Sequence, residues 1–428
     1  MVSPADLFAI LLVLAAAVAT VNHRFIHLPR AIALLFGSLG VSGGIILINP
    51  LVPIDLPGVA RETLNAAALP DVLLDIVLGL MLFAASLHVD LTELERQKWT
   101  VLALSTGSVI IATISFGIGI WLLFDVAGSP VPLGWCLVLG ALLAPTDAVV
   151  VDALLRRAPL PESLKTAILG ESLFNDGAGI VMFQIMLRFA QGEHGLFFHG
   201  QVAVALAFAG VGGGAVGCVT GFLAARAMRL VDEPVLLLMI SLAAVTVTYR
   251  LVDLMGMSGL IAVVACGLVL RMHAPRDASG RSRISEVMAF WHLTDELLNA
   301  LFFVLIGFEL FSLTFTRSYL VPAVAALPLA LLSRLVGVAL WVLVLEGVGS
   351  TQRRGIAILT WAGLRGGVSI ALALTLPSSP YRGQLLAACY GAVIASVIVQ
   401  GLSMAPMIRW LYGQTMHRAE PTGSRRNS

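Results

Sequence analysis

Asp147 stands in Leu143-Ala144-Pro145-Thr146-Asp147-Ala148, a carboxylate two residues after a proline in an otherwise apolar run. Proline lacks a backbone donor and strains the preceding turn, so a helix broken there leaves carbonyl oxygens free. Free carbonyls beside a carboxylate suit a small cation that sheds its water. The bland alternative is a proline kink that Asp147 merely caps. A second string, Glu171-Ser172-Leu173-Phe174-Asn175-Asp176-Gly177, puts four polar residues within six positions. At helical spacing Ser172 and Asp176 share one face, and Glu171 and Asn175 share another about 100° round. The first face offers hydroxyl and carboxylate oxygens to a cation. The second offers a carboxylate and an amide that could hold a neighbouring helix.

Two arginines complement these acids. Arg334 lies in Ser333-Arg334-Leu335-Val336-Gly337, and Arg365 in Gly363-Leu364-Arg365-Gly366-Gly367. The glycines around Arg365 suggest a second interrupted helix. Three carboxylates (Asp147, Glu171, Asp176) and two guanidiniums leave a net charge of −1, which one monovalent cation or one proton neutralises. Desolvation penalises an ionised carboxylate at such a depth, so protons compete with cations for it. A site that is neutral with either ligand and costly when empty supports one-for-one exchange.

The elements holding these residues follow from composition. Of the 428 residues, 58% are hydrophobic and 12% charged, and the mean hydropathy is +0.95. Soluble domains carry roughly twice that share of charge. The chain is therefore read as an all-α polytopic membrane protein whose partner is the lipid bilayer. A net charge of +1 indicates neither nucleic acid nor an acidic substrate. Proline, glycine and charge punctuate about thirteen transmembrane helices between residues 4 and 412. The two shortest, 233–252 and 256–271, leave a count of twelve open. The apolar N-terminus lacks the basic start of a signal peptide and reads as a retained first span.

Basic residues in the loops test this count. Loops after odd-numbered spans, with the tail, hold nineteen Lys and Arg, and the other side holds five. By the positive-inside rule the N-terminus is outside and the C-terminus cytoplasmic, in a cell (inner) membrane. The two interrupted helices, spans five and twelve, then run in opposite directions. Broken helices in corresponding positions of inverted halves point to a transporter's midplane site. The halves would be 1–190 and 233–412, joined by a span over 199–226, with a disordered tail over 413–428.

Ionisable groups at membrane depth are functional candidates by default. Asp75, Asp90, Glu309, Glu346 and His88 lie near span ends and can reach headgroups or water; Asp152 is placed to pair with Arg156. Gly212-Gly213-Gly214-Ala215-Val216-Gly217 fits a dinucleotide pattern, but no strand precedes it. Gly213, Gly217 and Gly221 read instead as a helix-packing face, as do Gly40 and Gly44; either pair could be internal or a dimer seam. The four cysteines, Cys136, Cys218, Cys266 and Cys389, are too far apart for zinc and read as small core residues. No cofactor is expected, and no nucleophile–base pair supports an intramembrane hydrolase. A gated channel would want repeated filters or charged rings, whereas here one dense carboxylate cluster lies between broken helices.

Ala144-Pro145-Thr146-Asp147, Gly170-Glu171-Ser172-Leu173-Phe174-Asn175-Asp176-Gly177, Ser333-Arg334 and Gly363-Leu364-Arg365-Gly366-Gly367 together resemble the motif series of the cation:proton antiporter 1 family. That group comprises NhaP-type and eukaryotic sodium/proton exchangers. The likeness covers roughly residues 1–412. It implies an antiporter fold of inverted repeats with two crossing interrupted helices, and a homodimer whose core bundle moves against a static one. It implies that Asp176 carries cation and proton, and that Asp147, Ser172 and Thr146 complete the ion's ligands. Glu171 would pair with Arg334, and Asn175 would order the region, with Arg365 supporting the site. The Asn175-Asp176 pair resembles the electroneutral branch. The implied activity is exchange of Na⁺ or Li⁺ for H⁺, with K⁺/H⁺ exchange as the alternative. The long tail of the eukaryotic exchangers is not in this sequence, so regulation through tail-binding partners is not expected.

Overall fold

Proline marks where several helices begin, because its fixed φ and missing donor cost nothing at a first turn. Pro29, Pro132 and Pro161 immediately precede helices, and Pro234 opens one. The computed structural model describes residues 4–51, 77–89, 91–147, 160–192, 208–274, 285–308, 317–346 and 350–416, with the isolated positions 55, 58 and 204.

The described residues form α1 (Pro4–Val21), α2 (Arg30–Ile48), α3 (Leu78–His88), α4 (Leu91–Arg96), α5 (Lys98–Leu102), α6 (Ser108–Val126), α7 (Leu133–Leu143) and α8 (Glu162–Ala190). They continue as α9 (Gly213–Met228), α10 (Pro234–Leu254), α11 (Gly259–His273), α12 (Ser285–Phe308), α13 (Arg317–Glu346), α14 (Ser350–Trp361), α15 (Gly367–Leu374) and α16 (Arg382–Met416). No strand occurs among them. Eight helices among the described residues are long and apolar enough to cross a membrane, and α3, α7 and α11 are shorter apolar helices. Large apolar side chains such as Val13, Leu47, Leu223 and Val344 are exposed on their outer faces, as expected of surfaces that meet lipid.

The ambiguity at 233–271 resolves into two helices. α10 and α11 are joined by a turn at 255–258, in which Gly256 takes a φ of +69° and Ser258 caps α11. The glycine face of α9 packs within the chain: a Cβ on Gly213, Gly217 or Gly221 would strike the carbonyls of Ser258, Ala262 or Cys266. At Gly40 and Gly44, in contrast, no described atom comes within 4 Å of where a Cβ would sit, so that pair makes no close contact with another described helix. Cys136, Cys266 and Cys389 are buried, but Cys218 is exposed, which corrects the expectation of four core cysteines. It follows Gly217 by one residue, about 100° away from the buried glycine face.

Helices α6, α7, α8 and α13 to α16 pack on one another around the two helix breaks. Helices α2, α3 and α9 to α12 make a second packed group, and the groups meet through α8 on α11, α12 on α15 and α2 on α16. The last helix is the most enclosed of the eight long apolar ones, with 61% of its apolar window buried against 17–39% for the others.

Candidate functional site

The first break follows α7. Regular structure stops at Leu143, and Ala144 to Asp147 run on without helical bonding because Pro145 cannot donate. The freed carbonyls of Ala144 and Pro145 accept hydrogen bonds from Nη1 of Arg365, at 2.6 and 3.0 Å. The second break separates α14 from α15 at 362–366, where Arg365 lies among glycines. The two breaks touch directly: the N–H of Asp147 donates to the carbonyl of Leu364 at 2.8 Å.

Close approach explains two of those glycines. A Cβ on Gly363 would overlap the Arg334 guanidinium, and one on Gly366 would overlap the Asp147 carboxylate. Asp147 therefore lies against the backbone that opens α15, where a helix N-terminus favours negative charge.

α8 supplies the third side of the site. Glu171, Ser172, Asn175 and Asp176 are all buried. The Ser172 hydroxyl donates to the carbonyl of Thr146. Nδ2 of Asn175 donates to Oγ1 of Thr146 at 2.7 Å and to Oε1 of Glu171 at 3.2 Å. The amide expected to hold a neighbouring helix thus holds the break itself. Glu171 and Arg334 form a buried, two-pronged ion pair at 2.9 and 2.7 Å, and Nε of Arg334 donates to the Leu359 carbonyl at 3.1 Å. This pair ties α8 to α13 and to the end of α14.

Arg365 behaves differently from Arg334. Its guanidinium hydrogen bonds run to backbone carbonyls, those of Ala144 and Pro145 and, at 3.4 Å, Ala330. It neutralises carbonyl dipoles of the first break. Asp176 lies within Coulombic range of Asp147 and Glu171. Two buried oxygens here, Oδ1 of Asp176 and Oδ1 of Asn175, have no hydrogen-bond donor. Buried acceptors without donors in a cluster of carboxylates suit a cation or a proton.

All eight residues singled out from the sequence therefore fall at or around the crossing of the two breaks. Sequence reasoning missed Ser396 and Gln400 on α16. Ser396 accepts from the N–H of Arg365 at 2.9 Å, and Gln400 donates to the carbonyl of Trp361 at 2.9 Å. A serine and a glutamine four apart in an apolar span were the available signal. Among the peripheral groups, His88 ends α3 exposed, its ring 5.6 Å from that of His292, and Glu346 ends α13. Asp75, Asp90, Asp152, Arg156 and Glu309 lie outside the described residues.

Two helix breaks meeting beside buried carboxylates, in a chain of apolar helices, define an ion-coupled secondary transporter. A family model described as "Sodium/hydrogen exchanger, transmembrane" matches residues 10–410. The chain belongs to that sodium/hydrogen exchanger family. It is 38% identical over 426 residues to the Na⁺/H⁺ antiporter NhaP of Pseudomonas aeruginosa, covering 97% of this chain and 99% of that one. It is 30% identical over 345 residues to the Na⁺/H⁺ antiporter NhaH of Halobacillus dabanensis, covering 79% and 83%. Among solved structures, the sodium proton antiporter MjNhaP1 of Methanocaldococcus jannaschii at pH 8 shares the fold. Its TM-score is 0.75 at 21% identity, with 96% of this chain and 99% of that one covered.

Proposed function

We propose that this protein exchanges Na⁺ for H⁺, one for one, across the cell membrane by alternating access. The observation that carries the reading is the unpartnered, buried Oδ1 of Asp176 beside that of Asn175, at the crossing of two helix breaks. Asp176 is the shared carboxylate. A proton or a sodium ion satisfies it, and an ionised carboxylate left alone at that depth is costly. The empty carrier is therefore disfavoured from reorienting, and exchange is obligatory.

Asp147, Ser172 and Thr146 supply the remaining oxygens for Na⁺. Thr146 is poised for this, since its carbonyl and hydroxyl are already oriented by Ser172 and Asn175. Glu171 and Arg334 cancel one another and brace the site, while Arg365 holds the first break open. The uncancelled charge is one unit negative, which matches one monovalent ion. The names of the relatives, all Na⁺/H⁺ antiporters where a cation is specified, favour sodium over potassium. The protein works as a homodimer, each chain containing two inverted repeats, 1–190 and 233–412, with the N-terminus outside and the C-terminus cytoplasmic.

The test is dequenching of a pH-sensitive dye in proteoliposomes, with Na⁺, Li⁺ and K⁺ added in turn. Proton movement on addition of Na⁺, at a rate unaffected by an imposed membrane potential, supports the reading. A rate that rises or falls with the potential rules out one-for-one exchange, and no proton movement with any of the three ions rules out antiport.

A further inference from the structure

We propose that Ser396 and Gln400 are positioning residues that fix the second helix break and, through it, Arg365. A broken helix leaves carbonyls before the break and N–H groups after it without intrahelical partners. In lipid no water replaces them, so the protein must. Both side chains lie on α16, the most enclosed long apolar helix, and both are fully buried.

Their hydrogen bonds can run in only one sense. The N–H of Arg365 donates to Oγ of Ser396, so the Ser396 hydroxyl proton is left for another acceptor. That acceptor is Oε1 of Gln400. The amide nitrogen of Gln400 is then free to donate to the Trp361 carbonyl at 2.9 Å. The last carbonyl of α14 and the N–H of Arg365 within the break are thus both met by one directed chain from α16. Arg365 continues that chain across the crossing, from its clamped backbone to the carbonyls of Ala144 and Pro145. Thr146 and Asp147 follow at once. Any slack at Gln400 therefore reaches the oxygens offered to the cation.

This inference rests on the functional reading above, and its test separates the two. In proteoliposomes, Gln400→Leu should raise the apparent KM for Na⁺ by about tenfold, the worth of one or two buried hydrogen bonds. Maximal rate per folded protein should stay within about twofold, since Asp176 is untouched. Ser396→Ala should shift KM in the same direction, and Ser396→Thr, which keeps the hydroxyl, should restore it. Ser403→Ala is the control: it removes the acceptor of the Trp361 indole N–H, 2.9 Å away on the same helix, but touches no backbone group of the break.

A merely structural role would lower the yield and the maximal rate while leaving KM alone, and that result would overturn the proposal. Hydrogen exchange in detergent gives a readout independent of transport. Faster exchange in Gln400→Leu confined to the amides of 362–366 supports the positioning role even if the wild-type vesicles move no protons, in which case only the functional reading fails. Unchanged exchange there overturns the proposal whatever the vesicles do.

Discussion

Neutralising one half of the Glu171–Arg334 pair should destabilise the protein more than removing both halves. The pair is two-pronged, at 2.9 and 2.7 Å, and both side chains are buried. Arg334→Met would leave the Glu171 carboxylate with only the Asn175 amide at 3.2 Å. Glu171→Leu would leave a buried guanidinium whose remaining bond is to the Leu359 carbonyl. Each single change costs about 3–5 kcal/mol, because an uncompensated charge stays behind. The double change removes both charges. It gives up the bond to Leu359 and one of the two Asn175 bonds, at about 1 kcal/mol each. The expected double cost is thus about 2 kcal/mol, well below the sum of the singles, for a coupling of about 4 kcal/mol or more. At about 0.9 kcal/mol per degree for 428 residues, each single variant should melt about 3–6 °C lower and the double variant about 2 °C lower. The assay is loss of the monodisperse size-exclusion peak after heating in detergent. A double variant that loses the sum of the two single shifts would refute the pairing argument.

Three further outcomes are expected. Asp176→Asn should abolish Na⁺-driven proton movement in proteoliposomes, while Asp253→Asn, at an exposed ion pair with Arg250, should retain it; full exchange by the Asp176 variant sinks the site assignment. Because proton and sodium compete for one carboxylate, acidification should raise the apparent KM for Na⁺, by up to about tenfold per pH unit, and leave the maximal rate at saturating Na⁺ unchanged; a KM flat across pH 6 to 8 with a falling maximal rate would point to separate sites. Gly366→Ala should weaken Na⁺ affinity, since its Cβ overlaps the Asp147 side chain from Cβ to carboxylate; sodium titration of exchange by the folded fraction checks it, and an unchanged KM would place Asp147 outside the ion's ligands.

What the sequence disclosed depended on how costly each residue is in lipid. A charge at membrane depth has few bland explanations, so Asp147, Glu171, Asp176, Arg334 and Arg365 stood out without any structure. Pro145 and the glycines around Arg365 disclosed the two breaks for a similar reason, since each disrupts helical bonding. Ser396 and Gln400 gave only a weak signal, because neutral polar residues are tolerated in apolar helices by bonding locally. The partner of Arg365 was hidden more deeply. Backbone carbonyls carry no letter in the sequence, so an arginine that serves a helix break looks the same as one that serves a carboxylate. Cys218 was misplaced because its position depends on which face of α9 meets α11, and the glycines that decide this were read only as a packing face without a known partner.

The division of labour between the two arginines bears directly on why the site needs a mobile cation. Had Arg365 faced Asp176, that carboxylate would have a fixed cationic partner and no use for sodium. Instead Arg334 is consumed by Glu171, and Arg365 is consumed by carbonyl dipoles that the first break exposes. Asp147 lies against the opening of α15, where a helix N-terminus favours its negative charge. Asp176 is left with an acceptor that no donor in the described protein fills. The breaks and the arginine that stabilises them thus serve one end: they present oxygens at the crossing without placing either guanidinium on Asp176. On the proposed reading, the protein is stable with either a proton or a sodium ion aboard, and an empty site is costly.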